Sequence, residues 1–358
     1  MHMPQHADIR VALIGYGLAG ETFHAPFISA TPGLRLACVV TANDDRRRRA
    51  LRDHPGVSIV DRADWLWAHP QEIDLIVVAS PNRTHVPLAH AALRAGLPVI
   101  VDKPVAATAE QAQTLVEESR ERGVFLTVFH NRRWDGDFLT VRRLIAEGAL
   151  GEPRRFESRF ERWRPEAAAS WRDSAAPEDA GGVFFDLGPH LIDQALLLFG
   201  PVTHVYAELD RRRPGVVVDD DAFVALVHAS GVRSHLWASA VAAARGPRFR
   251  VLGSQAAYTK HGLDVQEEAL KRGERPGKPG WGEEPAECWG RVSAGDRDQP
   301  VQTAPGAYQR FYAAVVAALR TGARPPVDPV DAVAGLEIIE AARRSAAEAQ
   351  VVALEFSV

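Results

Sequence analysis

A doubly wound parallel α/β domain, followed by an α+β domain with a large, mainly antiparallel sheet, is the fold class the sequence predicts. Three observations predict it. The first 130 residues alternate short apolar runs with helical stretches. The first apolar run ends in Val11-Ala12-Leu13-Ile14 and feeds straight into Gly15-x-Gly17-x-x-Gly20. Beyond residue 130 the rhythm changes to period-two runs with few helices between them. At 358 residues the chain exceeds what one hydrophobic core usually serves, and the division expected is 1–130 and 131–358.

Each element follows from its residues. Arg10–Ile14, Leu34–Val40, Leu75–Ser80, Val99–Val101 and Phe125–Phe129 are short β-branched or apolar runs, as in strands buried on both faces of a parallel sheet. Asp44–Arg52, Val86–Arg94 and Ala109–Arg122 read as helices. Gly96 suits a C-terminal cap, and Thr108 with Gln111 has the spacing of a capping box. Pro26 interrupts the helix after the glycine turn. In the second part, a helix Phe138–Glu147 precedes strands Arg155–Trp163, Val202–Glu208, Ala222–His228, Ser234–Ala240 and Phe249–Leu252, with a helix Phe184–Phe199 inserted. Residues 267–306, rich in Pro, Gly and charge, read as an extended surface excursion. Helices Ala307–Leu319 and Pro329–Glu348 and a strand Val351–Phe356 close the chain.

Composition narrows the partners. With 46% hydrophobic and 25% charged residues the chain is an ordinary soluble globular one. A net charge of −4 argues against nucleic acid or an anionic membrane as the main partner. Cys38 and Cys288 lie far apart without metal-ligand spacing, and no metal is called for. The opening MHMPQHADIR has no apolar stretch, and no run reaches the ~20 apolar residues of a membrane span. A reducing, cytoplasmic setting is expected.

The glycine turn is the mark of a Rossmann domain. Gly15 serves the tight turn, Gly17 the approach of a pyrophosphate and Gly20 close helix packing, with Leu18 and Ala19 lining the same turn. The helix start beyond them offers N–H groups and partial positive charge. NAD-selective sites place a carboxylate ~20 residues on, at the end of the second strand. Here Thr41, Ala42 and Asn43 occupy that stretch, and Arg46 to Arg49 follow. This favours the 2′-phosphate of NADP(H) through Arg46, with NAD(H) possible should Asp44 reach back to the ribose. Ser80, Pro81, Asn82 and His85 follow the fourth strand at the carboxyl edge, where ligand crevices form; His85 could equally cap the next helix.

Lys103 ends the strand Val99–Val101 at that edge. Oxidising an alcohol by hydride loss requires its hydroxyl proton to leave, and a cation beside the oxygen stabilises the developing alkoxide. Asp102 can fix the lysine or a ribose hydroxyl. Asp186 and His190 lie four apart on one helix face, so the imidazole can take and return a proton while the carboxylate orients it. Gly188 and Pro189 sit inside that helix at a cost to its stability, with no packing return visible in the sequence.

Together these residues resemble the glucose–fructose oxidoreductase/inositol dehydrogenase (Gfo/Idh/MocA) superfamily over nearly the whole chain. Phe23-His24-Ala25-Pro26, His130-Asn131-Arg132-Arg133-Trp134-Asp135, Trp171-Arg172 and Gly246-Pro247-Arg248-Phe249 look like its NADP-dependent scyllo-inositol dehydrogenase branch. The resemblance implies that Lys103, Asp186 and His190 form the proton relay at the reacting hydroxyl. It also implies a homodimer or dimer of dimers built through the second-domain sheet. Asp102 departs from the glutamate usual in the superfamily, which puts its ribose contact in doubt.

His130, Arg132 and Trp134 follow the last nucleotide-domain strand and would face a cleft that Trp163 and Trp171 close from the other side. Arg172 is counted with the cofactor contacts. Aromatic faces and guanidinium donors suit a polyol or sugar. The expected activity is hydride transfer between NADP(H) and a secondary hydroxyl or ketone of a cyclitol or sugar. The same chemistry on an aldose or keto-sugar is the near alternative. A non-catalytic NADP(H) sensor is the distant one, and it predicts loss of a relay that is present.

Overall fold

Six strands, β1 (Ile9–Ile14), β2 (Leu34–Val40), β3 (Ser58–Val60), β4 (Leu75–Val78), β5 (Val99–Asp102) and β6 (Leu126–Phe129), form one sheet in a computed structural model of the chain. It describes residues 7–166, 176 and 179–354. The order is β3-β2-β1-β4-β5-β6 and every pairing is parallel. Leu75–Val78 is buried throughout, as a strand covered on both faces must be. The order reverses between β1 and β4, the switch point at which such sheets bind ligands, and the glycine turn leaves β1 there.

Two details differ from the sequence reading. Strand β3 and the helix Asp64–Ala68 were not expected, because pieces of three and five residues carry no measurable period. After the glycine turn, Ala19–His24 is π-wound and Ala25–Ala30 is α-helical, with Pro26 in the first turn. There its missing N–H costs little, so it begins the α-helical part instead of interrupting it. The Thr108 side chain accepts from the Gln111 N–H at 3.2 Å, as the capping spacing predicts.

Contacts divide the chain into two units. The first comprises 1–131, 266–281 and 307–333, so helices Gln266–Lys271 and Gln309–Thr321 belong with the parallel sheet. Phe311, Tyr312 and Val315 are buried in it, and Thr127 Oγ1 donates to Val327 O at 2.7 Å.

Arg10 also ties this sheet together. Its backbone N and Nε each donate to Asp74 Oδ2 at 2.8 Å, and Nη2 donates to Oδ1 at 2.9 Å. Burial opposes the charge on Asp74, but these bonds outweigh it and hold the carboxyl below its ordinary value. A carboxyl lower in the folded state stabilises above its unfolded pKa, and the contribution is lost as pH falls through the folded one. Asp74→Asn is therefore expected to flatten the acid limb of urea stability between about pH 5 and pH 2. An acid limb identical to the parent's would remove Asp74 from this role.

The second unit comprises 132–265, 282–306 and 334–358. Its strands are β7 (Pro153–Glu161), β8 (Val202–Asp210), β9 (Asp221–His228), β10 (Arg233–Ser239), β11 (Phe249–Gly253), β12 (Ala257–Lys260), β13 (Gly290–Ala294), β14 (Arg297–Val301) and β15 (Val352–Ala353). They lie in the order β14-β13-β12-β11-β7-β10-β9-β8-β15. Only β7 with β10 is parallel. Strict alternation of burial along β9 shows one covered face, and helix Val183–Phe199 packs on β7, β9 and β10.

The expected surface excursion at 267–306 is corrected: it holds the short helix Gln266–Lys271 and the hairpin β13–β14, which with β12 extends the sheet. An exposed edge hairpin needs no apolar face, since β14 is exposed for nearly its whole length, and so it carries no alternation to read. The closing strand is Val352–Ala353; residues 355–356 of its expected span lie outside the described residues. No described helix is long and apolar enough to cross a membrane.

Candidate active site

The glycine turn is built by exclusion. Gly15 has φ +99°, and a Cβ there would lie 2.5 Å from Ala79 O, so no side chain is tolerated where the turn meets the end of β4. A Cβ on Gly20 would overlap the carbonyl oxygen of Gly15, which lets the helical segment close onto the turn. Gly17 is open by contrast: the nearest atoms to a Cβ there belong to the Arg46 guanidinium, at 3.8 Å. Leu18 is 52% exposed beside it and Ala19 is half-buried. Bare backbone of this shape fits a pyrophosphate.

Arg46 is set apart from its neighbours. Arg47 pairs with Asp61 and lies 3.8 Å from Asp44, Arg48 pairs with Asp45, and Arg49 lies 3.3 Å from Glu21. Arg46 is exposed, has no carboxylate partner among the described residues, and lines a solvent-open hollow with Asn43 and Arg49. Asn43 caps the helix Asp44–Asp53, accepting from Arg46 N at 3.0 Å, and Thr41 Oγ1 accepts from Asn43 N at 3.3 Å. Asp44 is the exposed first residue of that helix and faces Arg47.

The loop after β4 is tied internally. Ser80 Oγ lies 2.6 Å from Thr84 Oγ1, which donates to Pro81 O at 2.7 Å, and Asn82–Thr84 forms a 3-10 turn. The capping alternative for His85 is corrected. It is buried, and its ring nitrogens face Pro104 O and Ser80 O, each at 2.8 Å. The helix cap position is Thr84's. His85 thus joins the β4 loop to the segment carrying Lys103 and presents no ring nitrogen to a ligand.

Lys103 follows β5 directly, at the edge where the glycine turn leaves β1, and its peptide bond to Pro104 is cis. Its backbone N donates to Asp102 Oδ1 at 2.8 Å. His130, 4% exposed, ends the same unit's last strand segment.

In the second unit, helix Val183–Phe199 begins on Asp219, which accepts the Val183 N–H on its carbonyl at 2.8 Å and the Phe184 N–H on Oδ2 at 2.7 Å. Asp186 stands half-buried in the first turn, where the helix dipole favours a negative charge. His190 follows one turn later, 5% exposed, with its ring edge-on to Phe160 at 6.3 Å. The Phe160 ring also carries the guanidinium groups of Arg248, at 4.0 Å, and Arg132, at 4.9 Å.

Next along the helix, Gln194 donates to Arg132 O and accepts from Arg248 Nη2, both at 2.9 Å. Asp193 accepts from Arg133 Nε at 2.9 Å. Asp193, Gln194 and Asp219 were missed in the sequence. A signal for two of them exists, since Asp193 and Gln194 follow His190 by three and four positions and are polar residues buried in an apolar helix.

Further expectations meet the structure here. Gly188 does have a packing return, because a Cβ there would lie 2.8 Å from the Phe184 ring. Arg132 is buried, stacked on Phe160 and 3.5 Å from Asp135. Trp163 is 53% exposed beside β10, bridged to Val241, and Trp134 is half-buried. Trp171 and Arg172 lie outside the described residues. Among those described, no cluster of three His, Cys, Asp or Glu residues could hold a metal.

Comparison with known proteins agrees with this architecture. Residues 9–130 match the Gfo/Idh/MocA oxidoreductase family's NAD-binding Rossmann fold, and residues 142–354 match its C-terminal alpha/beta domain. An uncharacterized oxidoreductase of Escherichia coli, YdgJ, is 44% identical over 95% of this chain and 96% of its own. The scyllo-inositol 2-dehydrogenase (NADP(+)) IolW of Bacillus subtilis is 34% identical over 97% of this chain and 96% of its own. The solved structure of a putative oxidoreductase of Yersinia pestis, YPO2259, superposes with a TM-score of 0.91 at 40% identity, covering 99% of each chain.

Proposed function

The chain belongs to the Gfo/Idh/MocA oxidoreductase family, and from that premise we propose that it transfers a hydride between NADP(H) and a secondary hydroxyl or ketone of a cyclitol or sugar. The observation that carries the reading is Lys103, a lysine presented by a buried strand at the sheet edge that also holds the glycine turn. NADP(H), when bound, supplies the hydride acceptor or donor. Gly15, Gly17 and Gly20 leave room for its pyrophosphate, and Arg46 meets its 2′-phosphate. Lys103 polarises the reacting oxygen, His190 takes and returns the hydroxyl proton, and Asp186 orients the imidazole. The name of the B. subtilis relative supports an inositol as the substrate.

Absorbance at the reduced-nicotinamide band, with NADP⁺ or NAD⁺ and a panel of inositols and sugars, tests the proposal. Turnover of scyllo-inositol with NADP⁺ is expected. Turnover of an aldose alone would keep the mechanism and replace the substrate. Tight NADP(H) binding with no turnover across the panel would favour a sensor.

Cofactor choice has its own test. Arg46→Ala is expected to weaken NADP⁺ about tenfold or more, the loss of one charge-assisted phosphate contact, and NAD⁺ hardly at all. Equal losses for both nucleotides would show that Arg46 does not read the phosphate. Arg47, Arg48 and Arg49, already paired with carboxylates, are expected to matter less.

A further inference from the structure

Asp102 has a second connection, into the interior of the first unit. The His24 side chain is fully buried, with Nδ1 2.6 Å from the Tyr312 phenol oxygen and Nε2 3.5 Å from Asp102 Oδ2. Phe129 packs on the ring at 4.3 Å between centroids and fixes its plane. Burial, with the charge of Asp102 adding to it, pushes the Tyr312 phenol well above its ordinary pKa, so the group facing Nδ1 is a neutral hydroxyl. When the phenol donates to Nδ1, the ring proton lies on Nε2, the nitrogen facing Asp102. That Nε2 has no hydrogen-bond partner among the described residues. At 3.5 Å the contact is too long for a well-formed hydrogen bond and acts as the attraction of an N–H dipole for a carboxylate. The other oxygen, Oδ1, accepts the Lys103 N–H. Tyr312, His24, Asp102 and the Lys103 backbone thus form one continuous chain.

We propose that His24 and Tyr312 are positioning residues, which keep the Asp102 carboxylate charged and seated on the Lys103 backbone N–H. Asp102 then serves the placement of the lysine and not a ribose hydroxyl. The role given to Lys103 rests on the function proposed above. The charged and titratable groups around Asp102 are His24, Lys103 and His85; those facing His24 are Asp102 and Tyr312, with Phe129 apolar between. Burial opposes ionisation of Asp102, yet the proximity of His24, followed by Lys103 and His85, holds it below the ordinary carboxylate range. An aspartate suits this task because its short stem keeps the carboxylate within reach of the next residue's N–H.

The test follows the Asp102 carboxyl by carbon-13 NMR in the full-length, aspartate-labelled protein, and the Lys103 amide by nitrogen–proton correlation. In the parent, Asp102 is expected to titrate below the ordinary carboxylate range and the Lys103 amide to shift with the same midpoint. His24→Phe, which keeps the aromatic packing, is expected to raise that midpoint. Tyr312→Phe, the milder change, is expected to raise it less. In both, NADPH affinity by fluorescence titration is expected to stay within about threefold. Turnover at saturating cofactor is expected to fall about tenfold in His24→Phe. An Asp102 midpoint unmoved in both variants overturns the proposal. So does an Asp102→Asn protein that loses NADPH affinity about tenfold while its Lys103 amide stays put. The NMR and binding measurements need no turnover, so silence across the substrate panel alongside the expected shifts would reject the reaction and leave the linkage standing.

Discussion

Lys103→Ala is expected to lower turnover by about a hundredfold to a thousandfold while leaving NADPH affinity nearly unchanged. The size follows from the task assigned to the ammonium. It is paired with the oxygen most strongly when negative charge develops there, so its removal is felt in the transition state and little in the ground state. Loss of one such preorganised donor typically costs about 2.7–4 kcal/mol. The backbone of residue 103 is held independently of its side chain, by Asp102 Oδ1 on its N–H and by His85 on the following carbonyl. The truncated protein should therefore keep the shape of the loop. Steady-state kinetics with a fluorescence titration of NADPH reads both quantities. Near-normal turnover would remove the lysine from the mechanism, and a parallel loss of affinity would make it a cofactor ligand.

The second large effect is expected at His190. His190→Ala should reduce turnover by about a hundredfold or more, within the range for a lost general acid–base group. The pH profile is the sharper readout. In the oxidative direction the neutral imidazole accepts the proton, so the rate falls as pH drops through the histidine's pKa; the variant should lack that limb. Asp186→Asn removes a negative charge one helical turn away, so imidazolium is less favoured and the limb should move to lower pH. The helix that carries both is anchored by Asp219 at its start and by Asp193 and Gln194 beyond His190. A profile unaltered in His190→Ala would reassign the proton shuttle to another group.

Much of the site was legible because it depends on neighbours in the chain. The glycine turn, the strand ending on Lys103 and the four-residue spacing of Asp186 and His190 are local patterns, and the backbone built them as read. Residues whose role depends on distant partners were harder to place. Nothing near Arg132 in sequence shows that its guanidinium lies over Phe160. Arg46 was chosen from a run of four arginines without sight of what occupies its neighbours, because Asp61 and Glu21, which pair with Arg47 and Arg49, come from other elements. The hairpin β13–β14 escaped notice since an exposed edge strand needs no apolar alternation.

The sequence by itself determined the strand–helix alternation, the switch to period-two runs near residue 130 and the nucleotide turn. These rest on local sterics and on the periodicity with which apolar side chains meet a core. Tertiary structure alone decided that segments 266–281 and 307–333 return to the first unit. It also decided that one arginine in four stands without a carboxylate partner among the described residues, and that His24 joins Tyr312, 288 residues away, to Asp102. Such pairings exist only once the chain has closed loops of that length. Many alternatives satisfy the same local pattern, and only packing of the whole selects among them.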